Sequence, residues 1–158
     1  MSRTCKIHIQ INSGTIYDAE THYGFYLMES DDTVTAPVKE YETQEYPEAA
    51  SAEIYPFTTL TPFDYTCSLL AFGDLITVNS SVQAFFNSLF PIVAGTDVRQ
   101  ALPITIYNEW KGMKVTGYVK SNPAKGYYPT LVEAEKGAYL FDLVLYIADP
   151  RTLLPYNA

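Results

Sequence analysis

The chain has 158 residues, enough for one domain, and its hydrophobic fraction of 47% excludes an intrinsically disordered protein. Its 18 acidic and 10 basic residues give a net charge of -8, opposite in sign to a surface that binds nucleic-acid phosphates. The longest apolar run, 138–148, contains Asp142 and is shorter than the roughly 20 residues of a membrane helix, so we expect no membrane insertion. No apolar signal-peptide core precedes the first strand pattern, so we expect folding in a cytoplasm.

The first half of the chain follows the two-residue period of β-strands. Strands are predicted over 5–11, which has one solvated face and ends in the turn 12–14, and over 23–29. The acidic, tyrosine-rich segment 37–52 has no apolar face of helical period, so it predicts an exposed strand followed by a loop. A short strand over 52–56 ends at its proline.

A longer strand and a helix are predicted in the middle of the chain. The strand covers 63–73, where Leu70 and Phe72 indicate that both faces are covered near its end. The helix is predicted over 80–90, with Ser80 as its N-cap and Gln83 completing a capping box. The Asn79-Ser-Ser81 motif matches a glycosylation acceptor but is interpreted as part of this cap. One apolar helix face is formed by Val82, Phe85, Phe86, Leu89 and Phe90.

The remainder of the chain is again predicted to be β. A hairpin joins strands over 102–107 and 113–120, a weaker strand covers 127–134, and a turn is predicted over 135–137. The most apolar strand, 138–147, is predicted to be central and to end at Asp149-Pro150. The sequence therefore predicts a single mainly-β domain over 1–158. Its expected fold is an antiparallel β-sandwich or flattened barrel of seven to nine strands with one flanking α-helix.

Motifs for catalysis are absent, so we expect that the protein is not an enzyme and has no metal site or cofactor. The two histidines, His8 and His22, are expected to be solvated, the first on a wet strand face and the second in a loop. Cys5 and Cys67 are interpreted as buried reduced thiols. A pair of carboxylates in a cleft could still form a hydrolase site, because spatial pairing cannot be read from the sequence.

Tyrosine is abundant, with 14 residues in the chain. A tyrosine ring can be buried while its hydroxyl keeps a hydrogen bond, so tyrosine suits both sheets and protein interfaces. A tyrosine-rich sheet surface and an interface both remain open. A small β-sandwich module that binds carbohydrate or another ligand through these rings is a further alternative.

The order of elements resembles the N-terminal domain of phage distal tail proteins, which form rings in the baseplate. The likeness lies in 9–27, where a strand, a turn and an acidic segment lead into Tyr23-Gly24 and a second strand. It continues in the strand and helix of 63–90 and in the strands from 104 to Asp149-Pro150. The acidic segment 37–55 departs from the glycine-rich segment of the family, and tail tube and tail terminator proteins have related sandwiches.

This resemblance implies a structural subunit of a bacteriophage virion, located at the tail tip and assembled in the host cytoplasm. It implies a homohexameric ring around an acidic channel that DNA crosses without specific binding. The implied partners are other copies of the chain and the tail tube, baseplate hub and tape-measure proteins. The segment 40–55 is the best candidate for a ring contact, because the domain's own core explains it poorly. The predicted interface residues are Glu40, Tyr41, Glu42, Glu45, Tyr46 and Tyr55.

Overall fold

The computed structural model describes residues 6–31, 33, 35–40, 43–44, 53–54, 56–120 and 136–156. The strands β1 to β5 are Ile7–Ile11, Ile16–Asp18, Phe25–Ser30, Thr43–Gln44 and Glu53–Ile54. They are followed by β6 (Phe63–Asp74), helix α1 (Leu75–Leu89), β7 (Ile104–Asn108), β8 (Met113–Val119), β9 (Lys136–Ile147) and β10 (Leu154–Pro155). The prediction of a mainly-β fold with one flanking helix is confirmed.

The main sheet is antiparallel and has the strand order β2-β1-β7-β8-β9-β6-β3, with β10 paired to β8. The strands β4 and β5 form a separate pair. The predicted central position of the last long strand is confirmed, since β9 lies between β8 and β6. The strands β2 and β3 lie at the two ends of this order.

The sheet folds over itself at β8. Residues 113–117 of this strand pair with β7, whereas only Tyr118 and Val119 pair with β9. A Cβ atom on Gly117 would lie 2.6 Å from the backbone oxygen of Tyr146 in β9, so only glycine permits this close approach. The fold thereby brings the two ends of the sheet face to face, as expected for a sandwich or flattened barrel.

The core lies between these two layers. Alternate residues of each long strand point into it, which is why the two-residue period was visible in the sequence. One layer contributes Ile7, Ile9, Ile104, Ile106 and Val115 to the core. The other layer contributes Phe25, Tyr65, Cys67, Leu69, Phe141, Leu143, Leu145 and Ile147.

The helix begins five residues earlier than the sequence analysis predicted. Its N-cap is Asp74, whose carboxylate accepts a hydrogen bond from the backbone N–H of Thr77 at 3.2 Å. Ser80 and the Asn79-Ser-Ser81 motif lie inside the helix, so the predicted cap at Ser80 is wrong. The strand β6 leads directly into α1 through Gly73, whose φ is 141°, and Asp74. The predicted apolar face is confirmed: Val82, Phe85 and Leu89 are buried, and Phe86 packs against the core.

Three other predictions are corrected by the structure. The second strand begins at Phe25, because residues 19–23 form a short π-helix that ends at Gly24, with a φ of 75°. The predicted turn at 135–137 is wrong at its last two residues, because β9 begins at Lys136. Phe72 is 57% exposed, so the far end of β6 is covered on one face only. The predicted strand over 127–134 lies outside the described residues.

Candidate assembly surface

A β-hairpin extends from the main sheet between β3 and β6. At its base Val38 bridges Leu60, the N–H of Lys39 donates to the carbonyl of Thr59 at 2.9 Å, and the N–H of Thr61 donates to Pro37 at 2.8 Å. Further along, β4 pairs with β5 in the same antiparallel sense. We call the described residues of this hairpin the arm: 37–40, 43–44, 53–54 and 56–61.

The base of the arm exposes apolar side chains. Phe57 is 88% exposed, the largest value among the large hydrophobic residues that the structure describes. Val38 and Leu60 are half-exposed and lie opposite each other. The backbone bonds place this pair in the non-hydrogen-bonded position, where cross-strand side chains are closest. The surface of the arm is therefore apolar as well as acidic, which is typical of an interaction site.

Of the six predicted interface residues, the structure describes one. Glu40 lies in the arm and is exposed. The other five, Tyr41, Glu42, Glu45, Tyr46 and Tyr55, lie outside the described residues. Phe57 and Leu60 were not among the predicted interface residues, although isolated apolar residues within the polar run 56–61 were a visible signal.

A second apolar surface lies on the outer face of the sheet. Tyr26 of β3, Leu70 of β6 and Leu140 of β9 are register partners, and they form a row across three strands. Phe72 lies beside this row, with its ring centroid 5.3 Å from that of Tyr26. Three of these side chains are substantially exposed, and Leu70 is partly buried. We call Tyr26, Leu70, Phe72 and Leu140 the sheet patch.

An acidic row lies directly beside the sheet patch. Glu29 and Asp142 are both register partners of Ser68, and the hydroxyl of Ser68 donates to Asp142 at 2.6 Å. Neither carboxylate takes part in the ion pairs that the described residues form with one another. The outer face of the sheet thus combines an apolar row with a row of two carboxylates that no described cation neutralises.

An aromatic groove lies between the π-helix and α1. The rings of Tyr17 and His22 stack at 3.7 Å, Tyr23 packs edge-on against both, and buried Phe85 lies beneath Tyr23. The groove has a volume of about 480 Å³, and α1 lines it with Phe85 and with small residues such as Ser81. His22 is exposed, as predicted, but it lies in the π-helix and stacks on an aromatic ring, not in the predicted loop.

Two basic side chains beside β1 and in it form ion pairs within the fold. The Nε2 atom of His8 lies 3.7 Å from a carboxylate oxygen of Glu109. The side chain of His8 is partly solvated, as predicted. Lys6 lies 3.5 Å from both Asp18 and Glu20, and these carboxylates raise the pKa of its ammonium group. Within the described ranges, no three histidine, cysteine or acidic side chains group closely enough to hold a metal ion. That the protein is not an enzyme and has no cofactor stays a prediction.

Cys67 is the free thiol of the described chain, and it is buried as predicted. Burial raises the pKa of this thiol to about 12. Cys5 lies outside the described residues. A neutral thiol in the core acts as a small apolar side chain and not as a nucleophile.

No protein-family model matches the chain, and no curated protein sequence matches it. Among the described residues, no helix has the length and apolar character needed to cross a membrane. The resemblance to distal tail proteins therefore contributes to a proposal about function and does not assign the chain to a family.

Proposed function

We propose that this protein is a structural subunit of a bacteriophage tail. Within this class we propose a distal tail protein that forms a homohexameric baseplate ring. The observation that carries an assembly role is the arm, which holds Phe57 at 88% exposure outside the core of its own domain. The order of elements carries the narrower assignment to a distal tail protein. Tail tube and tail terminator proteins, with their related sandwiches, are alternatives within the same class.

The energetics of the exposed side chains favour association. Moving one large apolar side chain from water into a contact contributes roughly 1.5–3 kcal/mol. A ring built from head-to-tail contacts needs two different adhesive surfaces on each subunit. The arm and the sheet patch are two such surfaces, since they belong to different parts of one chain.

The charge of the chain agrees with a channel-forming role. A net charge of -8 repels the phosphates of DNA, so a lumen lined by such subunits lets DNA pass without specific binding. In this role the chain contacts its own copies and the tail tube, baseplate hub and tape-measure proteins. It resides at the tail tip of the virion and is assembled in the host cytoplasm.

The proposal is tested by the mass and symmetry of the purified protein. Mass photometry across a concentration series, followed by negative-stain imaging, should reveal six-membered rings that dissociate on dilution. A Phe57→Asp variant should shift the series towards monomer. Val98→Asp is a matched control, because Val98 is an exposed apolar residue in a different loop, at 63% exposure. A wild-type chain that stays monomeric at the highest soluble concentration contradicts the proposal.

A ligand-binding module is the second candidate, and the aromatic groove favours it. A volume of about 480 Å³ lies within the roughly 300–1,000 Å³ of small-molecule sites, and sugar rings commonly stack on aromatic side chains. In this case the protein is a monomer, and titration with hexoses should perturb the NMR signals of Tyr17 and His22. Unchanged signals at millimolar sugar would remove this candidate.

A further inference from the structure

We propose that the arm of one copy docks on the sheet patch of a second copy, with Phe57 over the apolar row and Lys39 over the acidic row. This inference rests on the proposed assembly role and names the two surfaces that form its subunit contact. The occupant of the sheet patch is another molecule of the same chain.

The two surfaces do not cover each other within one chain. Phe57 is 88% exposed and Phe72 in the sheet patch is 57% exposed in the same molecule. Each chain therefore presents one arm and one sheet patch to its neighbours. Contact between a second copy's arm and this patch removes both apolar surfaces from water at once.

The two residues that the contact uses lie close together along the arm. Lys39 lies opposite Thr59, because the N–H of Lys39 donates to the carbonyl of Thr59 beside the Val38–Leu60 bridge. Phe57 lies two residues before Thr59 in the chain. The pair Val38 and Leu60 lies on the face opposite to Lys39 and Thr59.

The spacing on the arm matches the spacing on the sheet. Phe57 is two residues from Thr59, the residue opposite Lys39, and two residues of extended chain span about 7 Å. On β6 the apolar row contains Leu70 and the acidic row contains Ser68, two residues away, which corresponds to about 7 Å along a strand. A single placement of the arm therefore aligns Phe57 with the apolar row and Lys39 with the acidic row.

Charge complementarity selects this placement. Lys39 takes part in none of the ion pairs among the described residues, and the same holds for Glu29 and Asp142. Docking brings one ammonium group against two carboxylates at the edge of an apolar contact. Such pairs fix the register of an interface more than they add to its affinity.

The first experiment is a charge exchange, measured as the dissociation constant of the assembly by analytical ultracentrifugation. Lys39→Glu and Asp142→Lys should each weaken association about tenfold, since each places like charges together. The double variant K39E/D142K should recover most of the wild-type affinity. Arg99→Glu is the control, because Arg99 is an exposed cation outside the arm whose side chain hydrogen-bonds the carbonyl of Phe90.

The second experiment is a complementation test between two defective chains. Phe57→Asp removes the apolar contact of the arm, and Leu140→Asp removes that of the sheet patch. Each variant alone should be monomeric, with association weakened about tenfold or more. An equimolar mixture should form a heterodimer, because the arm of the L140D chain meets the intact patch of the F57D chain. Phe72→Ser serves as a second patch variant if L140D lowers the melting temperature.

The outcomes separate this inference from the proposed function. Wild-type rings together with a mixture that stays monomeric, or with a double variant that is no better than the single ones, overturn the docking mode and leave the assembly role intact. A wild-type chain that is monomeric at every concentration overturns both. Rings in which F57D and L140D assemble as well as wild type also overturn the docking mode.

Discussion

The side-chain amide of Asn108 donates hydrogen bonds to the hydroxyl of Tyr65 and to that of Ser30, each at 2.9 Å. Asn108 ends β7, whereas its two partners belong to β6 and β3 at the far end of the sheet order. The side-chain oxygen Oδ1 of Asn108 accepts a third bond from the N–H of Lys111 in the following turn. This buried asparagine thus joins the two layers of the fold.

Replacing Asn108 by alanine should lower the free energy of unfolding by about 2–4 kcal/mol, because two buried hydroxyls lose their donor. Urea denaturation of N108A, Tyr65→Phe and the double variant should give a coupling energy of about 0.5–3 kcal/mol. Tyr107→Phe is the control, since its hydroxyl bonds to Gln10 on the outer face, and it should cost less than 1 kcal/mol. Additive single effects at Asn108 and Tyr65 would contradict the link between layers.

Gly117 should tolerate no larger residue, because it lies where the backbone of β9 crosses β8. A Cβ atom would lie 2.6 Å from the oxygen of Tyr146 and 2.8 Å from Cδ1 of Ile147. Gly117→Ala should therefore lower the melting temperature, with a cost of about 1–3 kcal/mol or more from overpacking. A variant with the melting temperature of the wild type would mean that the two strands separate there at little cost in free energy.

The strands with a clear two-residue period were predictable from the sequence, and β1, β7, β8 and β9 were found close to their expected bounds. The start of α1 was not predictable, because Asp74 ends a strand and caps a helix at the same residue. The π-helix before Gly24 has no sequence period of its own. Its end depends on the positive φ of that glycine, which becomes visible only in the structure.

The candidate surface was only partly predictable. The acidic composition of 37–55 indicated an exposed segment, and the exposed position of Glu40 agrees with this. The sheet patch was not predicted, because apolar Leu70 and Phe72 continue the face of Ser68 and indicated that this face is covered. The structure leaves Phe72 57% exposed there.

The adjacent residues Phe85 and Phe86 should differ in their contribution to stability. Phe85 is fully buried and contacts the rings of Tyr23 and Phe25, whereas Phe86 is partly exposed at the edge of the core. Phe85→Ala should cost about 3–5 kcal/mol. Phe86→Ala should cost less, because less of its surface leaves water on folding. Chemical denaturation of both variants checks the order, and a larger loss at Phe86 would contradict the described packing.

Cys67 should be unreactive in the native protein. Burial raises the pKa of its thiol from an ordinary value of 9.0 to about 12, so almost no thiolate exists at pH 8. In a Cys5→Ser variant, labelling by a disulfide reagent should be slow until denaturant is added. The unfolded thiol ionises near pH 9 while the folded thiol does not, so this group's contribution to stability is lost between about pH 9 and pH 12. Rapid labelling of the folded variant would contradict the burial of Cys67.

Deleting residues 42–50 should leave the domain folded but prevent it from assembling into rings. Among the residues that the structure describes, the buried core is formed by β1, β3, β6 to β9, α1 and the π-helix, and none of these core residues belongs to the arm. The deletion should therefore change the melting temperature by only a few degrees, corresponding to less than about 1 kcal/mol. Phe57 and Lys39 remain in this variant, but the hairpin that holds them loses β4, the pairing partner of β5. Mass photometry should then show monomers where the wild type forms rings, and a deletion variant that assembles normally would reduce the segment to a surface loop.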